Sequence, residues 1–432
     1  MRIEAASGVV LLVSAATALL MANSPWVSSY DALWSTPLTL GLGSLVVTET
    51  VRFWINDGLM TVFFLVVSLE IKRELHDGVL SDRRAAALPV AAAIGGVLVP
   101  AGLYLAINSA PELRQGWAIP TATDIAFAVG VLSLLGRRVP PALRAFLLTL
   151  AVVDDVVAVM VIAGYYTTDI EPVDLLVVVV GILAAFAIRG LRPRNTLVYV
   201  LPGAIIWGGL KDAGVHPSVA GVILGFLTPS ATCVDVDHAA RNRHLRTARR
   251  TLWQVRSSLR RGKRADRELT APLRSLQLAK CDILSPAVRI EEALHPWVAF
   301  GLMPLFALAD AGVAFPGVDL PTPHAATLAA GILLALTLGK PLGILLATWL
   351  GMRAGLSALP EGITWRHMLV LACLGGIGFT MSIFIGNLAF TAPSLLATAK
   401  LSVLVASAVS ASAGMVLGWL LLSAAEMVGK ST

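Results

Sequence analysis

Charge is scarce in this chain. Asp, Glu, Lys and Arg make up 14% of its 432 residues, against 56% hydrophobic residues. Soluble domains carry about 25% charged residues, so an ordinary soluble fold is excluded and a polytopic membrane protein is indicated. Cysteine is scarcer still. Cys233, Cys281 and Cys373 form neither a C-x-x-C pair nor an even set, which excludes a disulfide framework, and all three are expected to be reduced. A clear cleavage site is also missing. Arg2 precedes an apolar stretch over 8–21 with no A-x-A site after it, so that stretch reads as an uncleaved first helix.

What the chain does contain is a series of apolar segments between charged or Pro/Gly-rich breaks. About twelve spans start near residues 6, 54, 86, 113, 141, 172, 196, 215, 296, 325, 367 and 397. Basic residues test that count, because they collect in cytoplasmic loops. With the N-terminus inside, the cytoplasmic segments hold Arg2, then Lys72, Arg73, Arg83 and Arg84, then Arg137, Arg138 and Arg144, then Arg189, Arg192 and Arg194, then a dense loop, then Arg353 and Arg366, then Lys430. The other side holds Arg52, Arg114, Lys211 and Lys400. A miscounted helix would scramble this alternation, so an even number of spans with both termini inside is expected.

The dense loop divides the chain into spans 1–8 over residues 1–229, a basic segment over 230–292, and spans 9–12 over 293–432. Residues 241–289 carry fourteen Lys or Arg, including Arg260, Arg261, Lys263 and Arg264. Nucleic-acid binding is not indicated, since Trp253 is the sole aromatic interleaved with that charge and no motif accompanies it. A solvated cytoplasmic loop is the plain reading. Docking on anionic lipid head groups is the alternative, assisted by Leu252, Val255 and Leu259 at helical spacing.

Against that background two consecutive acids stand out. Asp154 and Asp155 lie in a run over 145–166 that is otherwise uncharged. Asp154 is ten residues past Arg144, roughly 15 Å along a helix and so near the midplane of a hydrocarbon core about 30 Å thick. An acid at that depth costs about 2.5–3.5 kcal/mol, and is kept only where it faces a polar pathway or a partner. Lys340, in the apolar run 325–350, falls near mid-membrane by the same arithmetic from Arg353. It is the candidate partner.

Two helix interruptions fall at similar depth. Pro120 breaks the fourth span within Ile119-Pro-Thr-Ala-Thr-Asp124, and Gly375, Gly376 and Gly378 break the eleventh. Irregular backbone in a bilayer is tolerated only inside protein or beside water. The interruptions occupy matching places in spans 3–5 and 10–12, which run in opposite directions, so an inverted repeat with two crossed discontinuous helices is expected. Crossing would bring two positive helix ends together on one side and two negative ends on the other, neutralised by Asp124 and Lys340 respectively.

The strings Thr121-Ala-Thr-Asp-Ile-Ala-Phe-Ala128, Leu150-Ala-Val-Val-Asp-Asp155, Gly339-Lys-Pro-Leu-Gly343 and Gly375-Gly-Ile-Gly-Phe-Thr-Met-Ser-Ile-Phe384 resemble the NhaA family of bacterial sodium/proton antiporters. Ser68-Leu-Glu-Ile-Lys-Arg-Glu74, Gly214-Val-His216 and His295-Pro-Trp297 match in the same order, so the resemblance covers nearly everything outside the basic loop. The family is itself a known example of an inverted-repeat transporter, so the repeat argument is not independent of the resemblance. The resemblance implies an electrogenic, pH-regulated exchanger of the bacterial inner membrane that takes sodium or lithium and protons, with no cofactor and no enzymatic activity. It implies that Asp154 and Asp155 bind the cation, with Thr123 and Asp124 nearby and Lys340 close to Asp154. It further implies that Glu70, Arg73, Glu74, His216, Glu291 and His295 shape the pH response, and that residues 36–50 form an extracytoplasmic β-hairpin through which two copies pair. Two departures stand out: the basic loop is long, and Asp310 occupies a place where Asn is expected.

Sodium is a hard cation, and carboxylates, a threonine hydroxyl and unwound carbonyls suit it. Adjacent helical positions point about 100° apart, so one aspartate is expected to bind directly while the other contributes field, a proton or a water-mediated contact. Lys340 has two open roles: an exchanging partner of Asp154 that releases a proton, or a neutraliser of the helix crossing. Among rival classes, an intramembrane aspartyl protease needs its acids on separate helices, one in a Gly-x-Gly-Asp string, whereas here Phe379 follows Gly376-Ile-Gly378. A cation channel or sodium-coupled symporter sharing the fold is the nearer rival.

Overall fold

A computed structural model describes residues 2–42, 45–76, 78–167, 171–191, 196–230, 284–315 and 322–422. The core of the basic loop with Cys233 and Cys281, the loop arginines proposed to meet lipid, Arg192, Arg194 and Lys430 lie outside those residues. Six described helices are long and apolar enough to cross a membrane: Val51–His76, Arg83–Ile107, Pro141–Tyr165, Pro286–Asp310, Pro323–Arg353 and Pro393–Leu421. Three bent pairs join them. Ala6–Ala22 with Val27–Ser35 turns by 114°, Pro111–Thr121 with Ile125–Leu134 by 46°, and Trp365–Gly375 with Phe379–Ala389 by 41°. Leu175–Leu191, Val200–Asp212 and Val219–Leu227 are shorter apolar helices.

The helices pack as two groups. Arg83–Ile107 lies on Lys340–Arg353 and Pro141–Tyr165, Trp365–Gly375 lies on Pro393–Leu421, and Phe379–Ala389 meets the segment Gln115–Thr121. In the second group Met60–His76 packs on Val219–Leu227 and Pro286–Trp297, and Val200–Asp212 on Leu175–Leu191. Helix Arg2–Ala22 touches both, through Ile125–Leu134 and Met303–Asp310. Helix association in lipid lacks the usual hydrophobic drive and relies on close backbone approach at small residues. Gly95 and Gly343 supply that approach in the first group: a Cβ on either would collide with the backbone carbonyl of the other.

A two-stranded antiparallel hairpin joins Pro37–Leu42 to Leu45–Thr50, with Thr39 opposite Thr48 and their hydroxyls 3.0 Å apart. Leu38, Leu40 and Val46 are exposed on it. Trp54 Nε1 donates to the Leu38 carbonyl at 3.1 Å, and Lys211 pairs with Glu49 at 2.7 Å, which ties the hairpin to the helices below.

One boundary differs from the sequence reading. The helix read from sequence as the ninth span begins at Pro286, ten residues before the start read from hydropathy, with Ser285 Oγ accepting from the Val288 N–H at 3.3 Å and Pro286 in the first turn. Arg289, Glu291 and Glu292 hide this first stretch from a hydropathy count. Their helix is amphipathic rather than uniformly apolar, and it places Glu291 and His295 one turn apart.

Because Gly95 and Gly343 meet backbone to backbone, Gly343→Val is expected to cost about 1–3 kcal/mol by overpacking and to lower the thermal unfolding midpoint in detergent. The same change at Gly102, where a Cβ meets nothing within 4 Å, is the control, and equal shifts at the two sites would refute the close-packing argument.

Candidate functional site

The two helix breaks face each other. The Asp124 N–H donates to the Ile377 carbonyl at 2.7 Å, so each interrupted backbone satisfies the other. The Asp124 side chain then caps both helices that restart there. Its Oδ1 accepts from the Phe127 N–H at 3.0 Å; its Oδ2 accepts from the Thr380 N–H at 3.1 Å and from the Thr380 hydroxyl. A carboxylate at the N-termini of Ile125–Leu134 and Phe379–Ala389 is thus favoured by two helix dipoles and by three donors that would otherwise be orphaned. Ser382 Oγ donates to the Ile119 carbonyl at 2.6 Å, binding the second half-helix to the segment before the first break.

The opposite polarity is met by Lys340. Its Nζ donates to the Thr121 carbonyl at 2.6 Å, where the segment Gln115–Thr121 ends, and to Asp154 Oδ2 at 2.9 Å. Lys340 and Asp154 are both buried. A π-helical turn over Ala335–Gly339 leads directly into the lysine, a local widening that recurs at functional sites. Thr123 Oγ1 lies 2.7 Å from Asp154 Oδ2 and 3.0 Å from the Gly375 carbonyl, and its one proton serves one of them at a time.

The two adjacent aspartates face different surroundings. Asp154 points into the cluster formed by Lys340 and Thr123, while Asp155 lines a cavity of about 280 Å³ together with Thr123 and Asp124. Val66, Val67 and Met381 supply much of its apolar wall, and Glu70, Arg73, Glu291 and His295 lie along it toward the basic end of helix Met60–His76. Asp154 Oδ1 and Asp155 Oδ1 are buried without a hydrogen-bond partner among the described residues. Leaving such oxygens unmet is costly in a protein interior. A cation or a proton would satisfy them.

The residues expected to shape the pH response separate into three places. Arg73 bonds Glu291 and lies 3.7 Å from Glu70, with His295 on the same cavity wall. Glu74 turns away, its Oε2 accepting from the Val79 N–H at 3.1 Å in the following loop. His216 sits at the other end of the molecule, its Nε2 3.0 Å from Asp57 Oδ1 and its Nδ1 2.7 Å from Ser218 Oγ, with its ring edge-on to Phe384 at 5.5 Å. Pro120, Gly375, Gly376 and Gly378 all lie at or beside the breaks. Gly376 packs so tightly on the Leu336 carbonyl that a Cβ there would stand 2.5 Å from it.

Sequence reasoning overlooked Thr380, Ser382 and Asp57 as partners. Thr380 had one signal: a hydroxyl two residues past the last glycine of a break stands in the first turn of the restarting helix. Asp310 and Lys400 were each noted, but not their pairing: they lie 3.0 Å apart and both are buried.

Fold and site together define a multi-pass helical membrane protein that keeps a buried acid–lysine cluster at paired helix breaks, an arrangement built by secondary transporters. The chain belongs to the family described as Na+/H+ antiporter 1, which matches residues 1–418. The Na(+)/H(+) antiporter NhaA 2 of Sorangium cellulosum is 50% identical over 426 residues, covering 99% of this chain and 90% of that protein. NhaA 2 of Pseudomonas putida, strain KT2440, is 49% identical over 427 residues, covering 99% and 93%. The NhaA of Cupriavidus necator is 49% identical over 420 residues, covering 97% and 89%. A solved sodium proton antiporter, MjNhaP1 of Methanocaldococcus jannaschii, overlays with a TM-score of 0.48 at 13% identity, covering 96% of this chain and 92% of that one, a likeness too distant to carry weight.

Because Asp124 caps two helices, Asp124→Ala is expected to destabilise by about 2–3 kcal/mol, against about 1 kcal/mol for Thr380→Val. Thermal unfolding of purified protein in detergent checks the order. Equal midpoints for the two variants would show that the shared cap does not hold the breaks together.

Proposed function

We propose that this chain exchanges sodium or lithium for protons across the bacterial inner membrane by alternating access, with cation and protons competing for Asp154 and Asp155. The observation that carries this reading is the cavity that ends at Asp155 and its unmet oxygen, with Asp154 held behind it on Lys340. The comparisons support it, since relatives about half identical over nearly the whole chain bear the antiporter name.

A cation entering along the cavity meets Asp155 first. Asp155 Oδ1, the Thr123 hydroxyl and the carboxylate of Asp124 offer oxygen ligands of the kind a hard cation prefers. Two adjacent desolvated carboxylates cannot both stay bare, so without a cation Asp154 keeps the Lys340 ammonium and Asp155 holds a proton, and a cation displaces that proton into the cavity. Lys340 takes the exchanging role: as Asp154 turns to the cation, the ammonium gives up its proton and remains as a neutral amine on the Thr121 carbonyl. More than one proton then moves per cation. Exchange becomes voltage-sensitive, at about 2.3 kcal/mol per net charge per 100 mV.

Four further features belong to the same reading. The chain crosses the membrane twelve times with both termini cytoplasmic, the fourth and eleventh spans cross at their breaks, and spans 3–5 and 10–12 form an inverted repeat. Glu70, Arg73, Glu291 and His295 line the cytoplasmic way in and tune it with pH, Glu74 through the loop it caps and His216 through Asp57 on the far side. Two copies pair through the hairpin's exposed Leu38, Leu40 and Val46. The basic segment is dispensable for exchange.

The test is a pH-jump assay in proteoliposomes that asks whether added sodium dissipates an imposed proton gradient. Asp154→Asn and Asp155→Asn are each expected to abolish that response while still purifying as folded protein; normal exchange in both would remove the site assignment. For Lys340→Gln, the charge moved per sodium is expected to fall, seen as a weaker response of exchange to an imposed potential. A stable Lys340→Gln protein with undiminished charge movement would instead leave the lysine as a neutraliser. Glu291→Gln, which removes the nearer of the two acids paired with Arg73, is expected to shift the half-activation pH by at least about half a unit with the maximal rate retained, and an unmoved profile would take Glu291 out of the pH response.

A further inference from the structure

Outside the central cluster, one other lysine among the described residues is buried against an acid. Asp310 ends the helix Met303–Asp310, and its Oδ1 accepts from Lys400 Nζ at 3.0 Å and Asn387 Nδ2 at 3.1 Å, with Asn56 Nδ2 at 3.5 Å. Asp310 is 1% exposed and Lys400 7%. Asp310 Oδ2, Asn56 Oδ1 and Arg52 Nε are also buried there, with no partner among the described residues. The Arg52 guanidinium reaches the Ala309 carbonyl at 3.5 Å, and the Tyr30 hydroxyl donates to the Leu308 carbonyl at 2.6 Å. These contacts place the cluster at the hairpin end of the molecule, beneath Trp54 and its bond to Leu38.

The partners come from both helix groups. Asp310 and Asn56 belong to the group built around Met60–His76 and its neighbours, which does not carry the central acids or Lys340. Asn387 and Lys400 belong to the group that carries Thr123, Asp124, Asp154, Asp155 and Lys340. Asn387 also lies on the same half-helix as Thr380, seven residues or about 10 Å along it, so the cluster holds the far end of a helix whose near end is capped by Asp124. At the basic end a cavity opens between the same two groups, although Val67 and Ile71 of one still pack on Val152 of the other. The cavity runs between Val66, Val67, Glu70, Arg73, Glu291 and His295 on one side and Asp155 on the other.

We infer that the Asp310–Lys400 pair is a latch that closes the hairpin end of the transport path, so that the molecule rests with its site open to the basic end. Alternating access by rocking one bundle against the other requires the groups to part at the hairpin end when they close at the basic end. Asp310 joins the two groups at that end, and its buried charge is matched only while they stay together. A buried ion pair fixes one arrangement far better than it adds net stability, because each partner left alone is an uncompensated charge. Asp310 and Lys400 are therefore positioning residues. They touch no transported ion and set which side the ion reaches.

This inference rests on the antiport reading, and the test separates the two. Cys233, Cys281 and Cys373 are replaced by serine, and Ala389→Cys is introduced as a reporter, since Ala389 is buried two residues past Asn387. In proteoliposomes a membrane-impermeant maleimide is applied from the hairpin side, and sodium-driven proton movement is followed in the same preparation. Asp310→Asn with Lys400→Gln keeps polar side chains without charge, and is expected to speed labelling at least tenfold and to lower the apparent KM for sodium added on the hairpin side relative to the basic side. The exchanged pair Asp310→Lys with Lys400→Asp is expected to restore slow labelling, which a general loosening of the fold would not do. Unchanged labelling and unchanged KM on both sides in the neutral pair would overturn the latch. Should the neutral pair fail to fold, Asn387→Leu reads the same cluster, and an unchanged labelling rate there overturns it equally. Loss of sodium-driven proton movement already in the reporter protein without latch changes, by contrast, counts against antiport itself, while the labelling comparison still judges the latch.

Discussion

Everything at the centre of this molecule follows from the difficulty of keeping charge where water is absent. The Lys340 ammonium and the Asp154 carboxylate are both buried, and each is bearable only beside the other. Removing one partner of such a pair typically costs about 3–5 kcal/mol, because the survivor is left uncompensated. The pair alone does not satisfy the lysine, which has three donors. A second acceptor comes from the Thr121 carbonyl, which is free to receive it because the chain stops being helical there. The helix break and the lysine are thus one device: the break exposes a carbonyl that needs a donor, and the lysine needs an acceptor.

The same logic sets the other face of the breaks. Two helices, Ile125–Leu134 and Phe379–Ala389, restart side by side in space, and their first N–H groups would be orphaned in the bilayer. Asp124 receives from both, through one oxygen for each helix. With Asp124 and Lys340 assigned to the helix ends, Asp155 is the acid facing the cavity with an oxygen unmet. What separates these carboxylates is therefore geometry, the partners each one meets, since Asp124, Asp154 and Asp155 are equally buried.

Much of this was legible in the sequence because depth is legible. Counting residues from Arg144 and Arg353 put Asp154 and Lys340 at one level, and the interruptions at Pro120 and Gly375–Gly378 fell at similar depth. Matching levels imply contact only when the elements also converge. The sequence carried that through the paired breaks, and a family resemblance sharpened it. Three things were hidden for physical reasons. The start of helix Pro286–Trp297 was masked because an amphipathic turn lining a polar cavity does not read as apolar. Thr380 was taken as part of an interruption because nothing local says which acid a first-turn hydroxyl will meet. The pairing of Asp310 with Lys400 spans 90 residues, and an acid at the end of one span beside a lysine near the start of another looks like ordinary interfacial charge until packing buries both.

That burial changes how the two acid–lysine pairs compare. Lys340 and Asp154 lie within one packed group of helices, so their contact can persist while the groups move relative to each other, and breaking it requires something that competes for Asp154. Lys400 and Asp310 lie on different groups, so movement between the groups is enough to separate them. Under the proposed antiport one pair would respond to the occupant of the site and the other to the arrangement of the helices. An exchanger needs both responses, with occupancy sensed at the centre and access decided at the rim. In this chain the half-helix Phe379–Ala389 connects them, with Thr380 on Asp124 at one end and Asn387 on Asp310 at the other. A shift of that helix along its axis would disturb the two clusters together, which under the proposed antiport would link ion binding to the closing of one end and the opening of the other.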